Sequence, residues 1–212
     1  MIPSREAAWA LVCAYTPSQA LRRHALAVEA SMRALARRAG VPDAGSLGDT
    51  VETWGLVGLL HDFDYERFPT EADHPARGME ILRGQGWPEP IVRAIGAHAF
   101  HTGIPAESPM ERAIVAADEL TGFVGACALV RPSRSVLDLE AASVVKKTKD
   151  KAFARSVDRS YLTKGAELVG LPLAELATLV IAAQRPIAVM LGIGGVPAPD
   201  LPDAPVPPIP PA

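Results

Sequence analysis

Residues 55–64 read Gly-Leu-Val-Gly-Leu-Leu-His-Asp-Phe-Asp, an apolar run that ends in a histidine and acidic residues. The run predicts a short helix over residues 51–61 that is buried in a core. His61 and Asp62 then leave its last turn. Neighbouring helical side chains point about 100° apart, but at a fraying C-terminal turn an imidazole and a carboxylate can converge on one ion. A His-Asp pair alone proves little, so the rest of the chain has to supply the other groups.

Helix signals continue on both sides of this stretch. Thr16-Pro17-Ser18-Gln19 supplies an N-cap, a proline at the first helical position and a capping-box glutamine, and Gly40 is typical of a helix end. Ser108-Pro109-Met110-Glu111 repeats the device and predicts a second long helix. Further helices are predicted from residue 75 and over residues 88–98, 137–149, 151–169 and 172–191, the last broken at Pro186. Eight or nine helices without a repeat indicate an all-α fold.

Composition bounds the class of protein. The chain has 212 residues, 49% of them hydrophobic, which is enough for one sizeable core. A net charge of −3 provides no global basic field for nucleic acid or an anionic membrane. Cys13 and Cys127 form no CxxC pair, so we expect neither a disulfide scaffold nor a thiolate zinc site, and a reducing cytoplasmic setting.

The two ends of the chain and its most hydrophobic segment predict no membrane association. Charge appears at Arg5 and Glu6, too early for a signal peptide. The segment 171–193 is interrupted at Glu175 and again at residues 184–186, which favours buried helices over a membrane span. We expect one helical domain over residues 1–195 and a disordered or polyproline-II tail over residues 196–212, which contains eight prolines. The tail could dock on a proline-reading groove or be an unselected flexible end.

Histidines and aspartates recur on apolar helix faces. His24 lies among Leu21, Ala25 and Val28, and a lone inward histidine is usually a hydrogen-bonded core residue. Asp118 stands four residues after Ile114, on an apolar face where a buried carboxylate needs a cation, an arginine or a ligand. A solvent-edge aspartate paired with an arginine is the alternative. Taken together, imidazoles and carboxylates without cysteine suit Fe, Mn, Co, Ni or Zn.

The ordered pattern of these residues resembles the HD-domain superfamily of metal-dependent phosphohydrolases, an all-helical family named for its His-Asp pair. The resemblance covers roughly residues 24–118 and implies a single-domain helical bundle. It implies that one divalent metal ion is bound by His24, His61, Asp62 and Asp118. It further implies a second ion held by His74 and His98, with Asp62 bridging the two.

The sequence departs from the common subfamily signature because Phe63 and Asp64, rather than Ile-Gly, follow the pair. Asp64 could orient a ligating histidine or be a surface turn residue. His101 could replace His98 as a ligand, contact substrate, act as a general acid from a loop, or be an ordinary loop histidine. Asp62, Asp64 and His101 are therefore the catalytic candidates.

One dense positive stretch could anchor a phosphorylated substrate. Lys147, Lys151 and Arg155 share an i, i+4, i+8 face if a single helix continues through them. A solvated helix face is the alternative interpretation.

The resemblance implies hydrolysis of a small phosphate ester, a nucleotide or a related phosphorylated metabolite, by a metal-activated hydroxide. The resemblance leaves two alternatives: a di-iron oxygenase of the same superfamily, and a non-catalytic nucleotide- or metal-binding signalling module. We expect a small phosphorylated substrate rather than a long nucleic acid, and a monomer or homodimer.

Overall fold

The computed structural model describes residues 3–44, 50–155 and 157–205, and over these ranges the chain forms nine α-helices. Two 3-10 turns span Phe100–Thr102 and Arg185–Ile187. Within the described ranges there is no β-strand, only an isolated bridge between Ser135 and Gly194. The prediction of an all-α bundle is confirmed. The helices are α1 (Arg5–Tyr15), α2 (Gln19–Arg38), α3 (Val51–Leu60), α4 (Ala76–Gly84), α5 (Glu89–Ala97), α6 (Pro109–Leu129), α7 (Ala141–Thr148), α8 (Arg159–Leu168) and α9 (Leu173–Gln184).

Helix α3 lies at the centre of the bundle because it is apolar on every side. Glu52 is its one exposed residue, and the helix packs against α1, α2, α5 and α6. Gly58 permits the close approach of α2, since a Cβ atom there would lie 2.8 Å from the carbonyl oxygen of Val28. The central helix α3 therefore ends next to His61, directly beside α2.

Helix α6 crosses the bundle beside α2, α5 and α8. It begins at the predicted capping box: the Ser108 hydroxyl accepts the backbone N–H of Glu111, and the Glu111 carboxylate accepts the backbone N–H of Ser108. Asp118 lies near the middle of the helix, after the buried residues Ile114 to Ala117.

The start of α2 differs from the prediction. Ser18, not Thr16, is the N-cap, and it accepts the backbone N–H of Leu21 at 3.4 Å. Thr16 instead ends α1, and its buried hydroxyl donates to the carbonyl oxygen of Phe63 at 2.9 Å. Gln19 hydrogen-bonds with the backbone of Leu201 rather than closing a capping box. The sequence places two helix boundaries within a few residues, and only the three-dimensional contacts separate them.

The expected continuous helix through Lys147, Lys151 and Arg155 is wrong. Helix α7 ends at Thr148 and α8 begins only at Arg159. The Arg159 guanidinium donates to loop carbonyl groups, those of Asp150, Phe153, Ala154 and Val157, and so stabilises a non-helical path. The three basic residues therefore do not share a helix face.

The first half of the proline-rich segment contacts the bundle. Residues 196–205 have no helix or strand, as the prolines predict, but Leu201 is buried. The Trp9 indole N–H donates to the carbonyl oxygen of Pro202 at 3.2 Å, and Asp203 pairs with the buried Arg22 at 2.6 Å. The sequence did not predict these contacts. Residues 206–212, which complete the predicted tail, lie outside the described residues.

The hydrophobic segment near the end of the chain forms α9 and packs into the core through Leu176, Val180 and Ile181. Among the described residues, no single helix combines the length and the apolar composition needed to cross a bilayer.

Candidate metal centre

Five elements bring histidine and aspartate side chains to one cleft. His24 comes from α2, His61 and Asp62 from the end of α3, and Asp118 from α6. The remaining two are His74, which precedes α4, and His98, which caps α5. The cleft has a volume of about 360 Å³. Elements far apart in the sequence thus deliver the six predicted ligands to a single place.

The donors form two groups that share Asp62. In the first group, His61 Nε2 lies 3.3 Å from Asp62 Oδ2 and 3.2 Å from Asp118 Oδ1, and His24 Nε2 lies 3.0 Å from the same Asp118 oxygen. In the second group, Asp62 Oδ1 lies 3.2 Å from His74 Nε2 and 3.4 Å from His98 Nε2. Each carboxylate oxygen of Asp62 therefore faces a different group, as a bridging ligand requires.

Hydrogen bonds at Nδ1 fix the rings of three histidines. His61 Nδ1 bonds to the carbonyl oxygen of Gly58 and His98 Nδ1 to that of Ile95. A carbonyl oxygen only accepts, so each Nδ1 carries a proton and Nε2 is the ring nitrogen that faces the cleft. His74 is held in the same way by a carboxylate, that of Asp64.

The donor set fits a metal ion. His61 Nε2 is fully buried and has no hydrogen-bond partner among the described residues. An unpaired buried nitrogen is costly, whereas a divalent ion between this nitrogen and the nearby oxygens of Asp62 and Asp118 would satisfy all three groups. In each of the two groups the donor atoms lie within 4.8 Å of one another, close enough to share one ion.

The pKa values of the donor residues reflect the close packing of histidines and carboxylates. Burial opposes protonation of His61, but the charges of Asp62 and Asp118 outweigh it and raise its pKa well above the usual value. Burial likewise opposes the rise at His74, where Asp62 and Asp64 raise the pKa to about 9. The pKa values of Asp62 and Asp118 are lowered against the effect of burial, chiefly by His61. In the metal-free protein, protons therefore occupy positions where a metal would bind.

Asp64 is buried beneath the second group. Its Oδ1 accepts from His74 Nδ1 at 2.8 Å, and its Oδ2 accepts from the backbone N–H of Gly78 at 2.8 Å. The alternative of a surface turn residue is therefore wrong. The carboxylate contacts Nδ1 of His74 rather than the cleft, so it can orient that ring but does not face a ligand in the cleft.

His101 lines the cleft but belongs to neither donor group. Its Nε2 lies 2.8 Å from the carbonyl oxygen of His74, on the 3-10 turn after α5. His98, not His101, faces Asp62. A place in the cleft wall is compatible with two of its predicted roles, a contact with substrate and a general acid.

The predicted basic anchor lies away from the cleft. Lys147 Nζ sits 4.7 Å from the centroid of the Phe153 ring and 3.4 Å from Asp150, and neither Lys151 nor Arg155 lines the cleft. The shared helix face is absent because α7 ends at Thr148, and a role of these residues in binding substrate stays a prediction.

Sequence reasoning missed three residues with polar side chains in the cleft wall, Tyr65, Glu119 and Tyr161. Burial and the nearby Asp118 charge raise the pKa of Glu119 to about 7. The position of Glu119 beside Asp118 could have drawn attention to it. Tyr161 lies on α8, and no local signal in the sequence connects that helix to the site.

Imidazole and carboxylate donors gathered in one cleft of a helical bundle are typical of helical proteins that bind divalent metal ions. Residues 21–122 match the family model described as HD domain, a family of metal-dependent phosphohydrolases. This segment spans all six donor residues, so the donors lie in the part of the chain that matches an HD domain.

Two curated relatives carry the name Ribonuclease Y. The chain is 37% identical over 83 residues to the protein of Desulfotalea psychrophila and 36% identical over 83 residues to that of Syntrophobacter fumaroxidans. Each alignment covers 37% of this chain and 15% of the relative, so the chain matches only a small part of either protein. No solved structure matches the chain.

Proposed function

We propose that this chain hydrolyses a small phosphate ester, with its six donor residues holding two divalent transition-metal ions. The arrangement around Asp62 carries the proposal, because its two oxygens face two separate groups of donors. His24, His61 and Asp118 would complete the first site, and His74 and His98 the second. Bound divalent ions supply a water of lowered pKa and neutralise phosphoryl charge.

The protein's own contribution is to hold the donors in place before substrate binds. The Nδ1 hydrogen bonds of His61, His74 and His98 keep each Nε2 lone pair directed into the cleft. Asp62 would bridge the sites as a carboxylate, and in the metal-free protein its pKa already lies well below the usual value, chiefly because of His61. His101, which lines the cleft, would contact the substrate from the rim.

A small substrate fits this cleft better than a polynucleotide. None of the described residues that line it is a lysine or an arginine, whereas contacts with a nucleic-acid backbone depend on such side chains. Cleavage of a phosphodiester is the second candidate, and the similarity to proteins named Ribonuclease Y favours it.

Metal analysis combined with a substrate panel tests the proposal. We expect about two transition-metal ions per chain and turnover of phosphomonoesters that exceeds turnover of bis(4-nitrophenyl) phosphate and of short RNA. The opposite order of rates would support the phosphodiesterase. Oxygen consumption with bound iron and no ester hydrolysis would show a di-iron oxygenase, and tight binding of a nucleotide without turnover would show a signalling module.

A further inference from the structure

The charged side chains in the wall of the cleft are unusual for a protein that binds phosphate. Three carboxylates line it, those of Asp62, Asp118 and Glu119, and no described lining residue is a lysine or an arginine. Asp62 and Asp118 belong to the donor groups, but Glu119 belongs to neither. Glu119 therefore faces whatever part of a ligand lies beyond the metal centre.

Glu119 and Tyr161 offer complementary hydrogen-bonding groups in the same cleft. No described residue hydrogen-bonds the Glu119 carboxylate, so its oxygens remain open to a donor from a ligand. The Tyr161 hydroxyl accepts the backbone N–H of Phe100 at 3.2 Å, which leaves its own proton to donate. The stacked ring of Phe100, with its centroid 4.0 Å from that of Tyr161, holds the phenol in place.

A hydroxyl group both donates and accepts, and so matches this pair of residues. A second phosphate group offers mainly acceptor oxygens and negative charge, and would meet the Glu119 carboxylate with no described cation in the wall to offset it.

We propose that Glu119 determines specificity in this cleft: it hydrogen-bonds a hydroxyl group on the leaving group of a phosphomonoester and disfavours substrates that carry a second phosphate beside the first. This inference rests on the proposed function for its substrate class. The preferred substrates of the protein are polyol and sugar monophosphates rather than nucleoside diphosphates or alkyl phosphates.

Binding of a matched pair of phosphonates tests the hydroxyl contact without turnover. Calorimetry with the metal-loaded protein compares 3,4-dihydroxybutylphosphonate with butylphosphonate, which lacks the hydroxyl groups. We expect the wild type to bind the dihydroxy compound roughly 10- to 100-fold more tightly, as hydrogen bonds to a charged group allow. In Glu119→Leu the preference should fall to within about threefold of unity.

Two further variants separate charge from hydrogen bonding. Glu119→Gln keeps an acceptor oxygen without the charge, so we expect it to retain most of the hydroxyl preference. It should also raise the rate on a nucleoside diphosphate relative to the monophosphate about tenfold. Glu175→Gln removes the same charge from an exposed position on α9 and serves as the matched control. Metal content and circular dichroism should be the same in all of these proteins.

The outcomes distinguish this inference from the proposed function. An equal phosphonate preference in the wild type and Glu119→Leu would overturn the role of Glu119, as would equal wild-type rates on the nucleoside mono- and diphosphate. If the metal-loaded wild type hydrolyses no ester but keeps a hydroxyl preference that Glu119→Leu abolishes, the proposed hydrolysis is wrong and the Glu119 contact stands.

Discussion

Asp62 is the residue on which both donor groups depend, because each of its oxygens faces a different group. We expect Asp62→Ala to bind less than one metal ion per chain and to lose at least about 1,000-fold in kcat/KM, since Asp62 is the donor that both groups share. Its far-ultraviolet circular dichroism should match the wild type, because Asp62 follows α3 rather than forming part of it. Metal analysis and ester hydrolysis measure the effect, with Asp43→Ala, at an exposed position, as the control. Full activity in Asp62→Ala would end the two-site interpretation.

Metal binding at this centre has to compete with protons. The pKa of His74 is raised to about 9 by Asp62 and Asp64, although burial opposes the rise. Below that pH the imidazole is protonated in the metal-free protein and has to lose its proton to bind metal. We expect metal affinity to increase as the pH rises from 6 toward 9, with protons released on binding. Calorimetric titration in buffers of different ionisation enthalpy measures this release, and a heat that is the same in every buffer would contradict it.

The same shift makes a prediction for the stability of the metal-free protein. A pKa raised from 6.5 to about 9 stabilises the fold fully below pH 6.5, and this contribution is lost as the pH rises through 9. We expect the free energy of unfolding to fall by roughly 1–3 kcal/mol between pH 6.5 and 9.5 for this reason. Urea unfolding in the presence of a chelator measures it. His74→Gln removes the titrating group and should flatten this part of the pH profile.

At the scale of single elements, α4 shows how a helix positions a ligand without supplying one. Its Gly78 lies against Asp64, and a Cβ atom there would approach the carboxylate carbon to 2.7 Å. We expect Gly78→Ala to displace Asp64 from His74 and to weaken binding of the second metal ion by about 10- to 100-fold. Gly84 in the same helix has open space at its Cβ position, so Gly84→Ala is the matched control and should leave metal binding unchanged.

Two-site metal titration of both variants measures this difference. The first site, which Asp64 does not contact, should keep its affinity in Gly78→Ala. Equal weakening at both sites would show that the substitution disturbs the bundle rather than the hydrogen bond between Asp64 and His74.

The elements also show where sequence reasoning succeeds. The capping box at Ser108 and Glu111 is local chemistry, and it fixed the start of α6 and hence the inward position of Asp118. The prediction of a helix between Thr148 and Arg159 is wrong because the path of this segment depends on the Arg159 guanidinium. That side chain donates to carbonyl groups several residues away. Tyr161 reaches the cleft through packing of α8 on α6, which no periodicity in the sequence encodes.

On the scale of the whole molecule, the proline-rich segment closes the bundle across α1 and α2. Leu201 is buried against the core, and its backbone hydrogen-bonds with Gln19. Asp203 pairs with Arg22, whose guanidinium also donates to the carbonyl oxygens of Cys13 and Thr16. These bonds connect the segment to the turn between α1 and α2, immediately before the turn of α2 that carries His24.

We therefore expect Leu201→Ala to lower the free energy of unfolding by about 1–3 kcal/mol. This loss is smaller than that for a leucine enclosed on all sides, because the segment can settle toward α1 and α2. Val196→Ala, at a position that is 54% exposed, is the matched control and should change stability by under about 0.5 kcal/mol. Urea unfolding measures both variants. If the segment packs as described, Leu201→Ala shifts the midpoint while metal content stays at the wild-type value, because Leu201 contacts no ligand. An unchanged midpoint would show that residues 196–203 leave the bundle in solution, and that α1 and α2 hold His24 without them.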